Sequence, residues 1–242
     1  MLLLAVDTTS EYGGAAIFHG AECLASTQKE GPASYSVVLF QMLEKLLRDT
    51  HLQLQDIDLF AAANGPGSFT GIRVGLAAVQ GWANALSKPV RGIPVLAAML
   101  EEVKPATDYA APILDARRGE FYSGWFQRDA GSFNRAMGHG AGENDVAAEG
   151  VVMKPDRLAH FFQAQLPEGK TLACIARKSD APARALQPLF PRSFSWCWIE
   201  AYLVPAIARL ALRAHQKTMP VSSKELSAFY IRRSEAELHW KA

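Results

Sequence analysis

The sequence has few cysteines and almost no excess charge. Its three cysteines, Cys23, Cys174 and Cys197, are odd in number and widely spaced, which argues against a disulfide framework and a thiolate metal site and favours a reducing compartment. We expect each of them to be a small buried side chain. Lysine and arginine together exceed aspartate and glutamate by one, 25 against 24, so no global field draws the chain to nucleic acid or to an anionic membrane.

The residue patterns of several enzyme classes are also absent. The six histidines lie at least 21 residues apart, so no His-x-x-x-His pair can present two metal ligands on one helical face. No lysine occurs between Lys45 and Lys88, so the glycine-rich stretch that begins at Gly65 is not a phosphate-binding P-loop. No serine lies in a Gly-x-Ser-x-Gly elbow. These absences count against an enzyme, and we predict no catalytic residues and no metal site; a zinc site assembled from distant chain segments is the alternative left open.

Long hydrophobic runs are missing as well. The apolar start, Met1 to Val6, meets Asp7 after six residues, which is too short for a signal sequence and far below a membrane span. Hydrophobic residues make up 49% of the chain and charged residues 20%, a balance typical of globular proteins. We expect a cytoplasmic protein without membrane contact, long enough for one large domain or two small ones.

What is present is an alternation of strand and helix patterns on either side of a polar stretch, Lys104 to Asp108. Before this stretch, apolar runs and helical spacing predict strands over 2–6, 13–18, 22–28, 59–63 and 90–93 and helices over 36–49, 72–86 and 94–103. After it they predict strands over 111–114, 120–127 and 171–176, helices over 155–166 and 200–216, a mobile loop over 128–150 and no assignment for 180–198. We therefore divide the chain into domains of residues 1–104 and 105–242, and leave open whether the last segment packs back on the first domain.

Each half opens with a strand, a turn that begins with aspartate, and a returning strand. The turns begin at Asp7, followed by Thr8 and Thr9, and at Asp115. A carboxylate in such a turn can hold magnesium beside a phosphate. Glycine two residues later would let the backbone approach the phosphate, but Thr9 and Arg117 hold that position here. We interpret both turns as architecture and the pair as a vestigial nucleotide site, the alternative being a working phosphate site.

The helices over 36–49 and 72–86 have more apolar or small-residue surface than one core contact needs. The apolar arc of the first spans roughly 160°, whereas one packing face needs about 100°. The second contains glycines on one face, although glycine costs about 1 kcal/mol in a helix relative to alanine. Small residues let another backbone come close, either in the protein's own sheet or in a second subunit. The predicted partner interface comprises Leu39, Phe40, Leu43, Leu47, Gly71, Gly75 and Ala78.

A glycine-rich loop connects the strand over 59–63 to the second of these helices. It reads Gly65, Pro66, Gly67, Ser68, Phe69, Thr70 and Gly71, and Arg73 follows it. A proline followed by glycine suits a tight turn, and Ser68 or Thr70 can cap the helix that begins here. The residues alone therefore predict a tight turn followed by the N-cap of a helix.

The stretch Asn64 to Gly75 also resembles the signature of the bacterial TsaB (YeaZ) family. Three further blocks are similar to that family: Leu4 to Thr9, Ile113 to Tyr122, and Tyr230 to Glu237. Four blocks in the right order are more specific than any one of them. The chain departs from the family pattern before the first long helix, where family members often have a histidine and this sequence has Ala33 to Ser36.

The resemblance implies an α/β fold of two related actin-like or hsp70-like domains (ASKHA, ribonuclease H-like). It also implies a role in forming N6-threonylcarbamoyladenosine (t6A) at position 37 of tRNAs that read ANN codons. In that family the catalytic work belongs to the paralogue TsaD, which TsaB-like proteins bind through helices of their first domain, and the ATPase TsaE joins the complex.

By this resemblance the chain is a non-catalytic subunit that forms a heterodimer with a TsaD-like paralogue and meets a TsaE-like ATPase. Contact with tRNA is then expected only through the complex, and no cofactor is expected beyond weak or vestigial nucleotide binding. Whether the chain also forms a homodimer is left open.

Two other functions stay open on the sequence. An actin-like ATPase or kinase, or a glycoprotease-type peptidase, would act through Asp7 and Asp115. Direct tRNA binding would use the arginine pairs at 117–118 and 232–233, although paired arginines on a neutral protein are usually a solvated face.

Overall fold

The structure, a computed structural model, describes residues 1–129, 132–135, 146–147, 150–217 and 226–231. The chain divides into two compact units. The first unit comprises residues 1–101 and 201–229, and the second comprises residues 102–200 and continues from Tyr230. The boundary predicted after position 104 thus lies three residues beyond this division, and residues 201–229, predicted to lie in the second domain, belong to the first unit.

Among its described residues, the first unit contains five strands and four α-helices. They are β1 (Leu2–Asp7), β2 (Gly14–His19), β3 (Glu22–Gln28), α1 (Tyr35–Thr50), β4 (Leu59–Gly65), α2 (Phe69–Leu86), β5 (Val90–Pro94), α3 (Val95–Val103) and α6 (Val204–Lys217). The sheet order is β3-β2-β1-β4-β5, in which β1, β2 and β3 are antiparallel and β4 and β5 run parallel to β1.

The second unit repeats this plan. Its strands are β6 (Tyr109–Asp115), β7 (Phe121–Ser123), β8 (Phe126–Asp129), β9 (Ser132–Arg135), β10 (Val146–Ala147), β11 (Gly150–Met153), β12 (Leu172–Arg177) and β13 (Ser195–Ile199), with helices α4 (Pro155–Gln165) and α5 (Ala181–Leu186). The strands β11-β7-β6-β12-β13 lie in the order of the first sheet, with β6, β7 and β11 antiparallel and β12 and β13 parallel to β6. The repeated order confirms the prediction of two related α/β domains.

Helix α6 belongs to the first unit because it contacts β1, β2, β4 and β5. Strand β1 is buried on both faces, as in parallel sheets covered by helices, and Leu3 and Leu4 are fully buried. The Glu101 side chain, 6% exposed, receives charged hydrogen bonds from Arg209 and Arg213 of α6. These contacts hold α6 against α3 and explain why the late segment returns to the first sheet.

The stretch 180–198, which the sequence left unassigned, contains α5 and β13. Sequence periodicity missed them because both are short and aromatic side chains crowd this region, where Phe190 and Phe194 are buried in the core of the second unit. The prediction of a loop over 128–150 is wrong where the structure describes it, because β8, β9, β10 and β11 reach into that range. Positions 130–131, 136–145 and 148–149 lie outside the described residues.

The expectation that all three cysteines are buried is confirmed only for Cys174. Cys23 is exposed because it lies on β3, the edge strand of the first sheet. Cys174 is buried in β12 and Cys197 is half-buried in β13. Burial raises the pKa of the Cys174 thiol well above its usual range, which keeps it protonated and inert.

Asp108 fixes the register at the start of β6. Its carboxylate accepts hydrogen bonds from the backbone N–H of Thr171 at 2.9 Å, from the Thr171 hydroxyl at 2.8 Å and from Lys170 Nζ at 3.0 Å. These bonds, the backbone bond first, lower the pKa of Asp108 to about 2. The ionised carboxylate thus ties β6 to the beginning of β12.

We expect this contact to make the second unit acid-sensitive. Because the folded pKa lies below the ordinary value of 3.8, the stabilisation is complete above about pH 4 and is lost as the pH falls towards 2. Asp108→Asn should therefore flatten the pH dependence of the unfolding midpoint in that window. The matched control is the exposed Asp129→Asn, and equal flattening by both variants would contradict the prediction.

Candidate functional site

The turn after β1 is built around a buried aspartate. Asp7 is fully buried, and its Oδ1 accepts hydrogen bonds from the Thr9 backbone N–H at 2.8 Å and from the Thr9 hydroxyl at 2.6 Å. Such a local bond between an aspartate and the backbone two residues on defines an Asx turn. The second carboxylate oxygen, Oδ2, has no hydrogen-bond partner among the described residues. One oxygen of Asp7 therefore shapes the turn.

The second unit contains a similar aspartate turn. The Arg117 backbone N–H donates to Asp115 Oδ1 at 2.8 Å, the same contact as at Asp7, and the Arg117 guanidinium lies 3.6 Å from Oδ2. Arg117, Arg118 and Gly119 all have positive φ, 64°, 57° and 71°, so the exposed arginines form the tip of a tight turn. Both aspartates fold their own turns, and nucleotide binding at either stays a prediction. Arg232 and Arg233 lie outside the described residues.

The signature loop, Gly65 to Gly71, is fastened to the Asp7 turn. Its Ser68 caps α2 by accepting a hydrogen bond from the Gly71 N–H at 3.2 Å, which confirms the predicted cap. The Ser68 N–H donates to Thr9 O at 2.7 Å. A Cβ at Gly67 would lie 2.5 Å from the same oxygen, so only glycine permits this approach.

The small-residue face of α2 packs inside its own unit. A Cβ at Gly71 would lie 2.0 Å from Thr8 O, and a Cβ at Gly75 would lie 2.2 Å from Thr8 Oγ1. The prediction that these glycines face a partner is wrong, because the turn after β1 already occupies the space beside them. Ala78 is half-buried on the same helix. The glycines are thus explained by the protein's own sheet, the alternative that the sequence left open.

A short segment near the end of the chain closes the other side of the loop. The Phe229 N–H donates to Asn64 O at 2.7 Å, and Gln80 Nε2 donates to Leu226 O at 2.6 Å. Gly65 has a φ of 121°, and a Cβ there would lie 2.3 Å from Phe229 O. The first glycine of the signature therefore makes room for residues 226–229, a contact that no local pattern reveals.

The remaining loop residues face different ways. Pro66 is buried, whereas Thr70 is exposed. Phe69 is 41% exposed, and the Arg73 guanidinium lies 3.7 Å from the centre of its ring. This cation–π pair presents an aromatic ring and a positive charge at the start of α2.

The broad apolar arc of α1 divides between core and surface. Leu39 and Leu43 are 1% and 6% exposed, so the prediction that they form an interface is wrong: they face the sheet. Leu47 is half-buried. Phe40 and Val37, one turn apart, are 56% and 59% exposed; we call these two side chains the α1 patch.

The α1 patch is continuous with α2. The Phe40 and Trp82 rings are nearly perpendicular, at 88°, with centroids 5.9 Å apart, so Phe40 contacts α2 while more than half of it stays exposed. The interface predicted from the sequence included Phe40 but not Val37. On a helical projection, an exposed valine cannot be distinguished from a valine that faces the core. Large exposed side chains adjacent on one helix favour a binding surface.

Two absences hold for the part of the chain that the structure describes. No group of three or more histidine, cysteine, aspartate or glutamate side chains there could hold a metal ion. None of the helices there has the length and apolar character that a membrane span requires.

Comparison with known proteins agrees with the fold. YeaZ from Pseudomonas aeruginosa superposes with a TM-score of 0.71 at 22% sequence identity, covering 95% of this chain and 99% of that one. Two curated proteins described as tRNA threonylcarbamoyladenosine biosynthesis protein TsaB are also similar. The one from Bacillus subtilis (strain 168) is 30% identical over 137 residues, 57% of this chain and 60% of that protein, and the one from Escherichia coli (strain K12) is 31% identical over 131 residues, 53% and 56% respectively.

The match with these curated relatives therefore spans less than two thirds of their length. A family model covers more of the chain: the one described as TsaD, tRNA N6-adenosine threonylcarbamoyltransferase, matches residues 32–224. The chain belongs to the family of this model, described as tRNA N6-adenosine threonylcarbamoyltransferase, and it is similar to the TsaB (YeaZ) proteins.

Proposed function

We propose that this protein acts in the formation of t6A on tRNA as the non-catalytic partner of a TsaD-like transferase. The observation that carries the proposal is the α1 patch, because Phe40 and Val37 stay exposed beside Trp82, whereas most other large hydrophobic side chains described in the first unit are buried. A rigid aromatic side chain at the centre of such a patch is the usual anchor of a protein interface. The family match and the TsaB relatives supply the reaction and the class of partner.

The state of the two aspartates supports a non-catalytic role. Asp7 is fully buried, and Asp7 and Asp115 each use Oδ1 to fold a turn, so this oxygen is engaged within the chain and is not free to hold a metal beside a phosphate. In this proposal the TsaE-like ATPase supplies nucleotide hydrolysis, tRNA is contacted through the complex, and the assembly works in the cytoplasm.

The proposal predicts a stable complex. Mixed with the TsaD-like transferase from the same organism at micromolar concentration, the chain should co-elute as a heterodimer in size-exclusion chromatography. With the ATPase, the threonylcarbamoyl donor and tRNA added, t6A should appear in digested tRNA by mass spectrometry, and omitting the chain should abolish it. If no complex forms and t6A appears without the chain, the proposal fails.

The actin-like ATPase alternative is decided by calorimetry of the isolated chain with ATP and magnesium. Tight binding that Asp7→Ala abolishes would favour an ATPase or kinase over a scaffold, since Asp7 Oδ2 is the carboxylate oxygen left without a partner among the described residues. No observation favours the peptidase alternative.

A further inference from the structure

The helices α1 and α2, which meet at the α1 patch, are both anchored on the same turn, Asp7 to Ser10. On the side of α2, the Thr8 hydroxyl donates to Gly71 O at 2.7 Å in a buried bond. The Ser68 N–H donates to Thr9 O at 2.7 Å just before the helix begins. The first turn of α2 is therefore set by the backbone and by one hydroxyl of this turn.

On the side of α1, the anchor is Tyr35, the first residue of the helix. Its hydroxyl donates to Ser10 O at 2.9 Å, and the side chain is 7% exposed. A Cβ at Gly13 would lie 2.5 Å from the Tyr35 oxygen, so the returning strand leaves room for this ring. The first turn of α1 is thus fixed to the last residue of the turn that also holds α2.

The turn is well suited to hold two helices at a fixed relative position. Asp7, Thr8 and Thr9 are at most 3% exposed, and Asp7 pairs with Gly14 across the β1–β2 ladder. Because they are buried, these residues offer no surface to a partner. Their effect on a partner must pass through the helices.

We propose that Thr8 and Tyr35 are positioning residues for the α1 patch: they set the relative placement of α1 and α2, and with it the affinity for the transferase, without touching the partner. The inference rests on the function proposed above. It follows from the contact between Phe40 of α1 and Trp82 of α2, since a shift of either helix at its anchored end changes how Phe40 is presented. Interfaces tolerate such shifts poorly, because packed surfaces do not deform continuously.

The first variant is Thr8→Val. A methyl group cannot approach a carbonyl oxygen to the 2.7 Å that separates Thr8 Oγ1 from Gly71 O, so α2 must move. We expect the dissociation constant for the transferase to rise about tenfold, the change that corresponds to one net hydrogen bond. Thr8→Ser keeps the hydroxyl and should restore the affinity.

Tyr35→Phe tests the other anchor with a smaller change, and it keeps the test decisive if Thr8→Val does not fold. It should weaken binding by a similar factor while the helix content stays unchanged. The matched control is Thr50→Val, which removes a hydroxyl bonded to Leu46 O at 2.8 Å at the far end of α1 and should leave the affinity unchanged.

A second readout needs no partner. The indole ¹H–¹⁵N resonance of Trp82, assigned with Trp82→Phe, reports the ring of Phe40 packed against it. It should shift in Thr8→Val and Tyr35→Phe and stay in place in Thr8→Ser and Thr50→Val.

The outcomes separate the two proposals. If the unmodified chain does not bind the transferase, the proposed function fails, and the Trp82 resonance alone decides whether the turn positions the helices. If binding occurs and Thr8→Val and Tyr35→Phe leave both affinity and resonance unchanged, or if Thr50→Val weakens binding as much, the positioning role is overturned.

Discussion

Replacing Gly71 with alanine is expected to lower the free energy of unfolding by about 3 kcal/mol or more, the upper range for overpacking a core. The added Cβ would lie 2.0 Å from Thr8 O and 3.1 Å from the carbonyl carbon. The obstacle is backbone, so no side chain can rotate away and α2 or the turn after β1 must move. The measurement is the urea midpoint of unfolding, with the slope checked for a change in cooperativity.

The control for this variant lies in the same helix. Gly81 is exposed, and a Cβ there would meet nothing within 4 Å. Gly81→Ala should therefore raise the stability by about 0.5–1 kcal/mol, the gain in helix propensity. If Gly71→Ala proves as stable as the unmodified chain, the glycine face does not serve the close approach of α2 to Thr8.

The close contact between Thr8 and the glycines of α2 makes these glycines unsuitable for testing a partner interface. A leucine at Gly75 would begin with a Cβ 2.2 Å from Thr8 Oγ1. Loss of partner binding in such a variant would follow from damage to the first unit itself, so the interface has to be tested on an exposed residue.

Phe40→Glu is that test, and we expect it to weaken binding to the TsaD-like transferase about a hundredfold, the effect of removing an aromatic anchor and burying a charge. Stability should fall by no more than about 1 kcal/mol, the worth of the edge-on contact with Trp82, because Phe40 is 56% exposed. Titration calorimetry measures the affinity and thermal unfolding the stability.

Leu189→Glu is the matched control, since Leu189 is a large hydrophobic residue of the second unit with a similar exposure of 54%. It should bind the transferase as the unmodified chain does. Undiminished binding by Phe40→Glu would move the interface away from the α1 patch.

Local sequence patterns were sufficient for most elements of the first unit. Alternating apolar runs and turn glycines place β1, β2 and β3 within a residue or two of their predicted positions, and the helical spacing finds α1 and α2. These patterns can be recognised in the sequence because burial of one face of a strand or helix makes hydrophobic residues recur at a regular spacing. The signal failed for α5 and β13, which are too short to show a period.

The functional predictions also divide into those that local sequence supports and those that it does not. The repeated aspartate turn and the four family blocks were visible without a structure, since each depends on residues close together in the chain. The direction in which a glycine or an apolar arc faces was not visible. A glycine indicates that another group lies close to the backbone but not which group. In this protein the groups are Thr8, Thr9 and Phe229.

The sequence by itself therefore determined that this protein has almost no excess charge and lacks the usual catalytic spacings, that it repeats one α/β plan, and that it resembles the TsaB family. Only the tertiary structure decided which surfaces are free. It assigned Leu39, Leu43, Gly71 and Gly75 to the interior and left Phe40 and Val37 outside. The physical reason is that burial depends on contacts between residues as distant as Asn64 and Phe229, which no local periodicity encodes.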